Sequence, residues 1–340
     1  MMARTTVLAT LRFTAVSALL LIPAALLAQP GGSPGAFTRL GFGARGMGMG
    51  NALSAVRTGI ISSLYNPALT PFQADHLLYA NYSILSLDRK LNQISYTQSI
   101  RLRKAGASKF ENEPDVLSIS GVSAGWTNAG DADIQGYDSD GFKTEMLSVF
   151  ENQFYLNFGT RFTPKLSGGF NVKFYYSGLY KNVTSSGFGI DLGLLYSISE
   201  EVSVGFVIQE LLTKYKWDTG KLYGPDHGNA TENPFPKVYR LAAAYVLPGV
   251  PGVVDAEVEG YEMKTFLARA GVEVYPVDVL ALRAGIERLD LSDKGIDPRP
   301  TFGVSFSQSV GQFMPAVNYA FILEPDAPSP THVISLAFPF

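Results

Sequence analysis

Residues 186–199 read SGFGIDLGLLYSIS, and the strict alternation in this stretch decides the fold of the chain. Six of its apolar residues fall on one face of an extended strand, while glycine, serine and aspartate fall on the other. The apolar face comprises Phe188, Ile190, Leu192, Leu194, Tyr196 and Ile198. The same period-two pattern recurs at 153–162, 166–177 and 301–307. This pattern predicts β-strands that separate an apolar environment from a polar one.

Outward from this stretch, the alternation predicts about fourteen long strands. They are about 10–14 residues long, whereas strands of globular proteins average about 5–6 residues. An even number of strands of this length is typical of bacterial outer-membrane barrels, and a soluble sandwich is the alternative. The predicted strands cover residues 76–86, 91–102, 115–127, 151–163, 165–178, 186–199, 201–211, 236–247, 252–261, 264–276, 278–288, 298–308, 311–323 and 330–340. We therefore predict an all-β transmembrane antiparallel barrel over residues 76–340.

The composition excludes several functional classes. The 340 residues are 46% hydrophobic and 17% charged, and the formal net charge is −3. The absence of cysteine excludes thiolate metal sites and cysteine nucleophiles, and the negative charge argues against nucleic-acid binding. Residues 121–125 match GxSxG, but they lie inside a strand pattern and not at a strand-to-helix turn. We expect no catalytic site, cofactor or metal.

The first 28 residues have the features of a secretory signal peptide. Arg4 and Arg12 precede an apolar run from Phe13 to Ala28. This run is too short and too broken for a membrane-spanning helix, so we expect cleavage after Ala28. The predicted location is the bacterial outer membrane, with membrane lipid and the barrel-assembly machinery as partners.

The last residues of the chain continue the alternation to its end. Phe338 and Phe340 lie two positions apart, with Ile334 and Leu336 in phase behind them. A final strand that ends on an aromatic residue resembles the assembly signal of bacterial outer-membrane barrels. We therefore assign Phe338 and Phe340 to that signal.

Residues 29–75 lack alternation and precede the predicted barrel. They contain two motifs, LGFGARGMGMG at 40–50 and YNPA at 65–68. The first spells GxGxxG, but no βαβ unit surrounds it, which argues against dinucleotide binding. We predict a plug inside the barrel, where glycine lets one backbone approach another. Its motif residues are Gly41, Gly43, Arg45, Gly46, Gly48, Gly50, Asn66 and Pro67.

These two motifs resemble the N-terminal segment of the PorV/PorQ family of bacterial outer-membrane proteins. More distantly, they resemble the hatch of the FadL family of long-chain fatty-acid transporters. The resemblance implies a 14-stranded FadL-like barrel with its N-terminal segment inside. PorV-like members serve type IX protein secretion, which implies protein transport with secretion-system proteins as partners. FadL-like members pass lipophilic molecules, so the alternative is a channel for uptake of a hydrophobic ligand. The third hypothesis is a structural barrel that transports no molecule.

Charged residues recur on the polar faces of three consecutive predicted strands. They are Asp255, Glu257, Glu259, Arg269, Glu273, Arg283 and Glu287. A lipid-facing arginine or lysine at mid-membrane costs about 2–4 kcal/mol, so we expect all seven to face the lumen. One interpretation is a network that anchors the plug through Arg39, Arg45 or Arg57. The other is a polar lining for a solute path.

Overall fold

A computed structural model describes residues 33–103, 116–180, 183–224, 226–262, 264–311 and 313–340. The predicted signal peptide lies outside the described residues. The described strands are β1 (Leu77–Ile84), β2 (Lys90–Arg103), β3 (Val116–Tyr137), β4 (Lys143–Arg161), β5 (Leu166–Tyr180), β6 (Val183–Ser197), β7 (Val202–Leu211), β8 (Lys214–Asp218), β9 (Ala230–Pro234), β10 (Val238–Val246), β11 (Gly252–Tyr261), β12 (Thr265–Val277), β13 (Leu280–Asp290), β14 (Arg299–Ser307), β15 (Ala316–Ile322) and β16 (Thr331–Pro339). Short helices span Ala36–Arg39, Gly43–Gly48, Pro67–Phe72, Ser86–Asp88 and Gly220–Tyr223. Among the described helices, none has the length and apolarity needed to cross a membrane.

Fourteen antiparallel strands close into one barrel, which confirms the predicted fold class. β1–β7 and β10–β16 follow one another around the wall, with β7 paired to β10. The barrel closes where β16 pairs with β1, from Leu77 opposite Pro339 to Ile84 opposite His332. We call the end at which β1 begins and β16 ends the inner end, and the opposite end the outer end.

The two faces of the wall have opposite character. On β6, Leu192, Leu194 and Tyr196 are 44–49% exposed, whereas Asp191 is 0% exposed. Apolar residues thus face outward and polar residues face inward, the reverse of a soluble protein. Closure gives each described barrel strand a neighbour on both sides within the wall, as an apolar solvent requires.

The strand ranges predicted from sequence leave 128–150 and 212–235 as long connections between strands, and the structure corrects both. The interval 128–150 is not a loop, because β3 and β4 continue beyond the barrel rim as a two-stranded ribbon that turns at 138–142. The interval 212–235 contains the separate β8–β9 hairpin. The ribbon was missed because both of its faces meet water, which removes the alternation that marks the other strands.

The end of the chain lies beside the start of the barrel. Phe340 follows β16, and its N–H donates a hydrogen bond of 2.9 Å to the carbonyl oxygen of His76. The rings of Phe338 and Phe340 are 41% and 50% exposed. Their role as an assembly signal stays a prediction.

We expect the outward face of β6 to tolerate charge only near the outer end. Leu192→Arg places a charge at mid-wall and should lower the free energy of unfolding by about 2–4 kcal/mol. The matched control is Ser186→Arg, on the same face nearer the outer end, which should cost about 0–1 kcal/mol. Denaturant unfolding in lipid vesicles measures both values, and equal costs would contradict the assigned membrane depth.

Candidate functional site

The described N-terminal segment, residues 33–76, packs against the inward face of the wall. Near the outer end, Phe37 lies in one buried cluster with Leu91 and Tyr175, and its ring meets that of Tyr175 edge-on. The helix Gly43–Gly48 contacts β13–β16 and β1. The helix Pro67–Phe72 contacts β2–β6, near the inner end. The segment therefore runs from one end of the barrel interior to the other.

A buried ion pair joins this segment to the wall. Arg45 Nη2 lies 2.6 Å from Glu273 Oε1, and Arg45 Nε lies 3.0 Å from Glu273 Oε2. The remaining amino group of Arg45 donates to the carbonyl oxygens of Thr58 and Ile60, at 2.7 and 2.8 Å. Burial alone would lower the pKa of the Arg45 guanidinium, but the Glu273 carboxylate outweighs burial and raises it. One side chain thus holds both the wall and the following loop.

Tyr65 ties the two sequence motifs to each other. Its hydroxyl donates to Asn51 Oδ1 at 2.5 Å and accepts from the backbone N–H of Phe42 at 3.0 Å. Burial raises the pKa of the Tyr65 phenol, which keeps the hydroxyl protonated as a donor. Asn51 Nδ2 in turn donates to Glu287 Oε1 on β13 at 3.1 Å.

Asn66 and Pro67 begin the inner helix and fasten it. Asn66 Oδ1 accepts from the N–H of Ala68 at 2.9 Å, which caps the helix, and Pro67 occupies its first position. Asn66 Nδ2 donates to the carbonyl oxygens of Ser54 at 2.8 Å and Leu194 at 3.2 Å. This motif therefore organises the segment and contacts β6.

The glycine motif allows close approach to the wall. A Cβ added to Gly48 would lie 3.1 Å from the Cα of Gly303 on β14. Gly50 has φ +64°, and an added Cβ would lie 2.6–2.8 Å from backbone atoms of Ile286 on β13. Larger residues at these positions would push the segment off the wall.

All seven charged residues predicted to face the lumen are at most 6% exposed. Arg283 joins Arg45 on Glu273, with Arg283 Nε 2.6 Å from Glu273 Oε2. Among the contacts described, the carboxylate of Asp255 accepts one hydrogen bond, from the N–H of Ala55 at 3.3 Å. The structure brings the others into a second ion-pair set, which comprises Arg240, Glu257, Glu259, Arg269, Glu287 and Arg299.

The other two arginines named as possible anchors lie elsewhere. Arg39 lies 6.0 Å over the ring of Tyr261 and donates to Ser33 Oγ at 2.8 Å. Arg57 donates to Ser197 Oγ at 3.0 Å and to carbonyl oxygens of the β6–β7 turn.

Sequence reasoning missed a third buried charge cluster on β5–β7. Lys173 Nζ lies 2.8 Å from Asp191 Oδ2 and 2.8 Å from Glu210 Oε1. Glu210 has φ +62°, and Gln209 and Glu210 are both buried. A bulge at this point breaks the alternation, so period two alone could not predict that Glu210 faces inward. Lys173 and Asp191, in contrast, stand at inward positions of their strands.

A cavity of about 710 Å³ opens at the outer end, and we call it the vestibule. Phe37 and Leu40 of the N-terminal segment line it together with Leu267 and Ile296 of the wall and its outer connections. Ten of the 21 lining residues are charged, among them Arg288 of β13. Its volume lies within the range of about 300–1,000 Å³ that is typical of small-molecule sites.

Comparison with known proteins finds similar folds among solved barrel structures. No family model and no curated sequence matches the chain. The toluene transporter TodX of Pseudomonas putida has a TM-score of 0.56 at 14% identity, covering 88% of this chain and 96% of TodX. A FadL homologue of Pseudomonas aeruginosa has a TM-score of 0.55 at 10% identity, covering 93% and 99%. The monoaromatic hydrocarbon channel CymD has a TM-score of 0.57 at 14% identity, covering 88% and 98%.

The fold is that of FadL-type barrels. This confirms the FadL-like architecture predicted from sequence. The closed wall with its apolar outer face confirms the predicted location in the bacterial outer membrane. The comparisons give no support to the finer PorV/PorQ resemblance.

We expect the Arg45–Glu273 pair to stabilise the folded state strongly. Arg45→Met leaves the Glu273 carboxylate buried with Arg283 as its remaining ion-pair partner, and should cost about 3–5 kcal/mol of unfolding free energy. Arg57→Met, which breaks partly exposed hydrogen bonds at the inner end, should cost less than about 1 kcal/mol. Denaturant titration in micelles measures both free energies of unfolding. An unchanged value in Arg45→Met would show that the ion pair does not stabilise the folded state.

Proposed function

We propose that this protein is an outer-membrane channel for the uptake of small hydrophobic molecules, with residues 33–76 as its plug. The vestibule is the observation that carries the proposal. It is a cavity of ligand size that opens at the outer end, and the N-terminal segment forms part of its lining. A molecule that enters from outside therefore meets the plug first.

The names of the similar structures support the same substrate class. TodX is described as a toluene transporter and CymD as a monoaromatic hydrocarbon channel. The apolar side chains of the vestibule suit such molecules, because each side chain shielded from water by a ligand contributes favourable hydrophobic free energy. The Arg45–Glu273 ion pair joins the plug to the wall, and this single contact supports the hypothesis that the charge network anchors the plug.

Polar substitution in the vestibule should weaken binding of an apolar fluorescent probe. Leu40 and Ile296 both line the cavity and are partly buried. The double variant Leu40→Asp/Ile296→Asp should lower probe affinity by about tenfold, since it replaces two apolar contacts by carboxylates. Leu291→Asp, in the same connection as Ile296 but outside the cavity lining, should leave affinity unchanged. Unchanged binding in the double variant would contradict the proposal.

A second candidate function is the secretion role that the PorV/PorQ resemblance implies. The ribbon beyond the outer rim favours it, because Tyr137, Phe142 and Met146 are 61%, 71% and 55% exposed there. An isolated two-stranded ribbon is marginally stable in water, and a protein partner would cover its apolar side chains and its free edges.

Deletion of residues 133–147 tests this second candidate. Under the secretion hypothesis, the full chain isolated from its native membrane in gentle detergent carries a stoichiometric protein partner, and the deletion variant loses it. The deletion should leave the vestibule and its probe binding intact, because these residues lie beyond the cavity lining. A full chain that carries bound lipophiles and no protein partner would exclude the secretion role.

A further inference from the structure

A second cavity, of about 550 Å³, lies beside the vestibule at the outer end, and we call it the side pocket. It is lined by strands β3–β5, by the β8–β9 hairpin and by residues 33–36. Ala36 and Glu151 line both cavities, whereas residues 33–35 line only the side pocket and Arg39 lines only the vestibule. The first turn of the N-terminal segment thus lies between the two spaces.

The side pocket differs from the vestibule in charge. The vestibule lining includes six cationic side chains, which are Arg39, Arg89, Lys90, Arg269, Arg288 and Arg299. Among the described residues that line the side pocket, Glu151 is the only charged one. Much of the remaining lining is apolar and includes Val149, Leu179 and Pro234. This composition favours a ligand with an apolar body and one positive charge.

The carboxylate of Glu151 is held in place and keeps an open acceptor. The Tyr215 hydroxyl donates to Glu151 Oε1 at 3.0 Å and accepts from Ser177 Oγ at 2.6 Å. Among the contacts described, Glu151 Oε2 accepts no hydrogen bond and the carboxylate has no ion-pair partner. Arg39 acts on this carboxylate at longer range, and its guanidinium donates to Ser33 Oγ at 2.8 Å. A cationic ligand in the side pocket can therefore pair directly with Glu151.

Two aromatic rings line the side pocket together with this carboxylate. The ring centroid of Trp217 lies 5.1 Å from that of Tyr215, which in turn lies 4.8 Å from that of Phe235. Tyr215 and Phe235 are 3% and 2% exposed, whereas Trp217 is partly buried and lines the cavity. The packed rings fix the orientation of the indole, and the face of an aromatic ring attracts a cation. Aromatic faces are the groups with which proteins recognise quaternary ammonium ligands.

We propose that the side pocket binds small organic cations of the quaternary ammonium class. The positive charge of the ligand meets the Glu151 carboxylate, and its methyl groups contact the ring of Trp217. A hydrocarbon leaves the carboxylate without a partner, and an anion is repelled by it. The inference concerns a cavity other than the vestibule, so it does not depend on hydrocarbon uptake.

Titration of the full chain in micelles with choline tests this inference, with the fluorescence of Trp217 as the signal. The chain has two tryptophans, and Trp126→Phe removes the other one, which lies on the outward face of β3. Choline should change the emission of Trp217 saturably, and isothermal titration calorimetry should give the same affinity. The neutral alcohol in which carbon replaces the nitrogen of choline should bind at least about tenfold more weakly, because it lacks the charge.

Single substitutions separate the charge from the shape of the side pocket. Glu151→Gln keeps an acceptor for Tyr215 but removes the charge, so the affinity for choline should fall about tenfold while that for the neutral alcohol stays unchanged. The matched control is Glu232→Gln on β9, whose carboxylate meets Lys214 and Lys216 outside the cavity lining. This control should leave both affinities unchanged.

Three results would overturn the inference. They are the absence of choline binding in both measurements, equal affinity for choline and the neutral alcohol, and an unchanged choline affinity in Glu151→Gln. Trp217→Leu, measured by calorimetry, should lower the choline affinity severalfold, since it removes the aromatic face. Far-UV circular dichroism verifies that each variant is folded. Choline binding by a protein that binds no apolar probe would refute hydrocarbon uptake and leave the side pocket as a cation site.

Discussion

The arrangement of the barrel interior depends on one buried ion pair. Arg45 meets Glu273 with two hydrogen bonds, at 2.6 and 3.0 Å, although the two residues are 228 positions apart in the chain. An unpaired buried charge costs several kcal/mol, and Glu273 is the one ion-pair partner that the described contacts give Arg45. The same guanidinium holds the carbonyl oxygens of Thr58 and Ile60. The pair thus fixes the helix, the following loop and the wall as one unit.

The alternating sequence of the wall follows from its contact with two environments. Each barrel strand faces an apolar solvent outside and polar groups inside, which imposes period two on its sequence. Because of this constraint, the alternation of apolar residues such as Leu192 with polar residues such as Asp191 was enough to predict fourteen strands. It also predicted that the seven charged residues of β11–β13 face inward, since a charge on the outer face is costly.

The rest of the site could not be predicted, because it depends on contacts between distant residues. The sequence suggested three arginines as anchors but contained nothing that paired Arg45 with Glu273. The bulge at Glu210 breaks the alternation, so period two places Lys173 and Asp191 inward but gives no signal that Glu210 joins them. The β3–β4 ribbon lies in water on both faces, so its sequence lacks alternation and predicts a loop.

Hydrogen–deuterium exchange of the full chain in micelles tests the central claim most directly, namely that the segment around Arg45 is fixed inside the barrel. The N–H groups of Ala44 and Gly50 donate to Ser335 Oγ and Thr301 Oγ1 of the wall, at 2.8 and 2.9 Å. We expect peptides from residues 43–56 to exchange as slowly as those from β12–β14, and to lose this protection in Arg45→Met while the strands keep theirs. Exchange of residues 43–56 within seconds in the wild type would contradict the account.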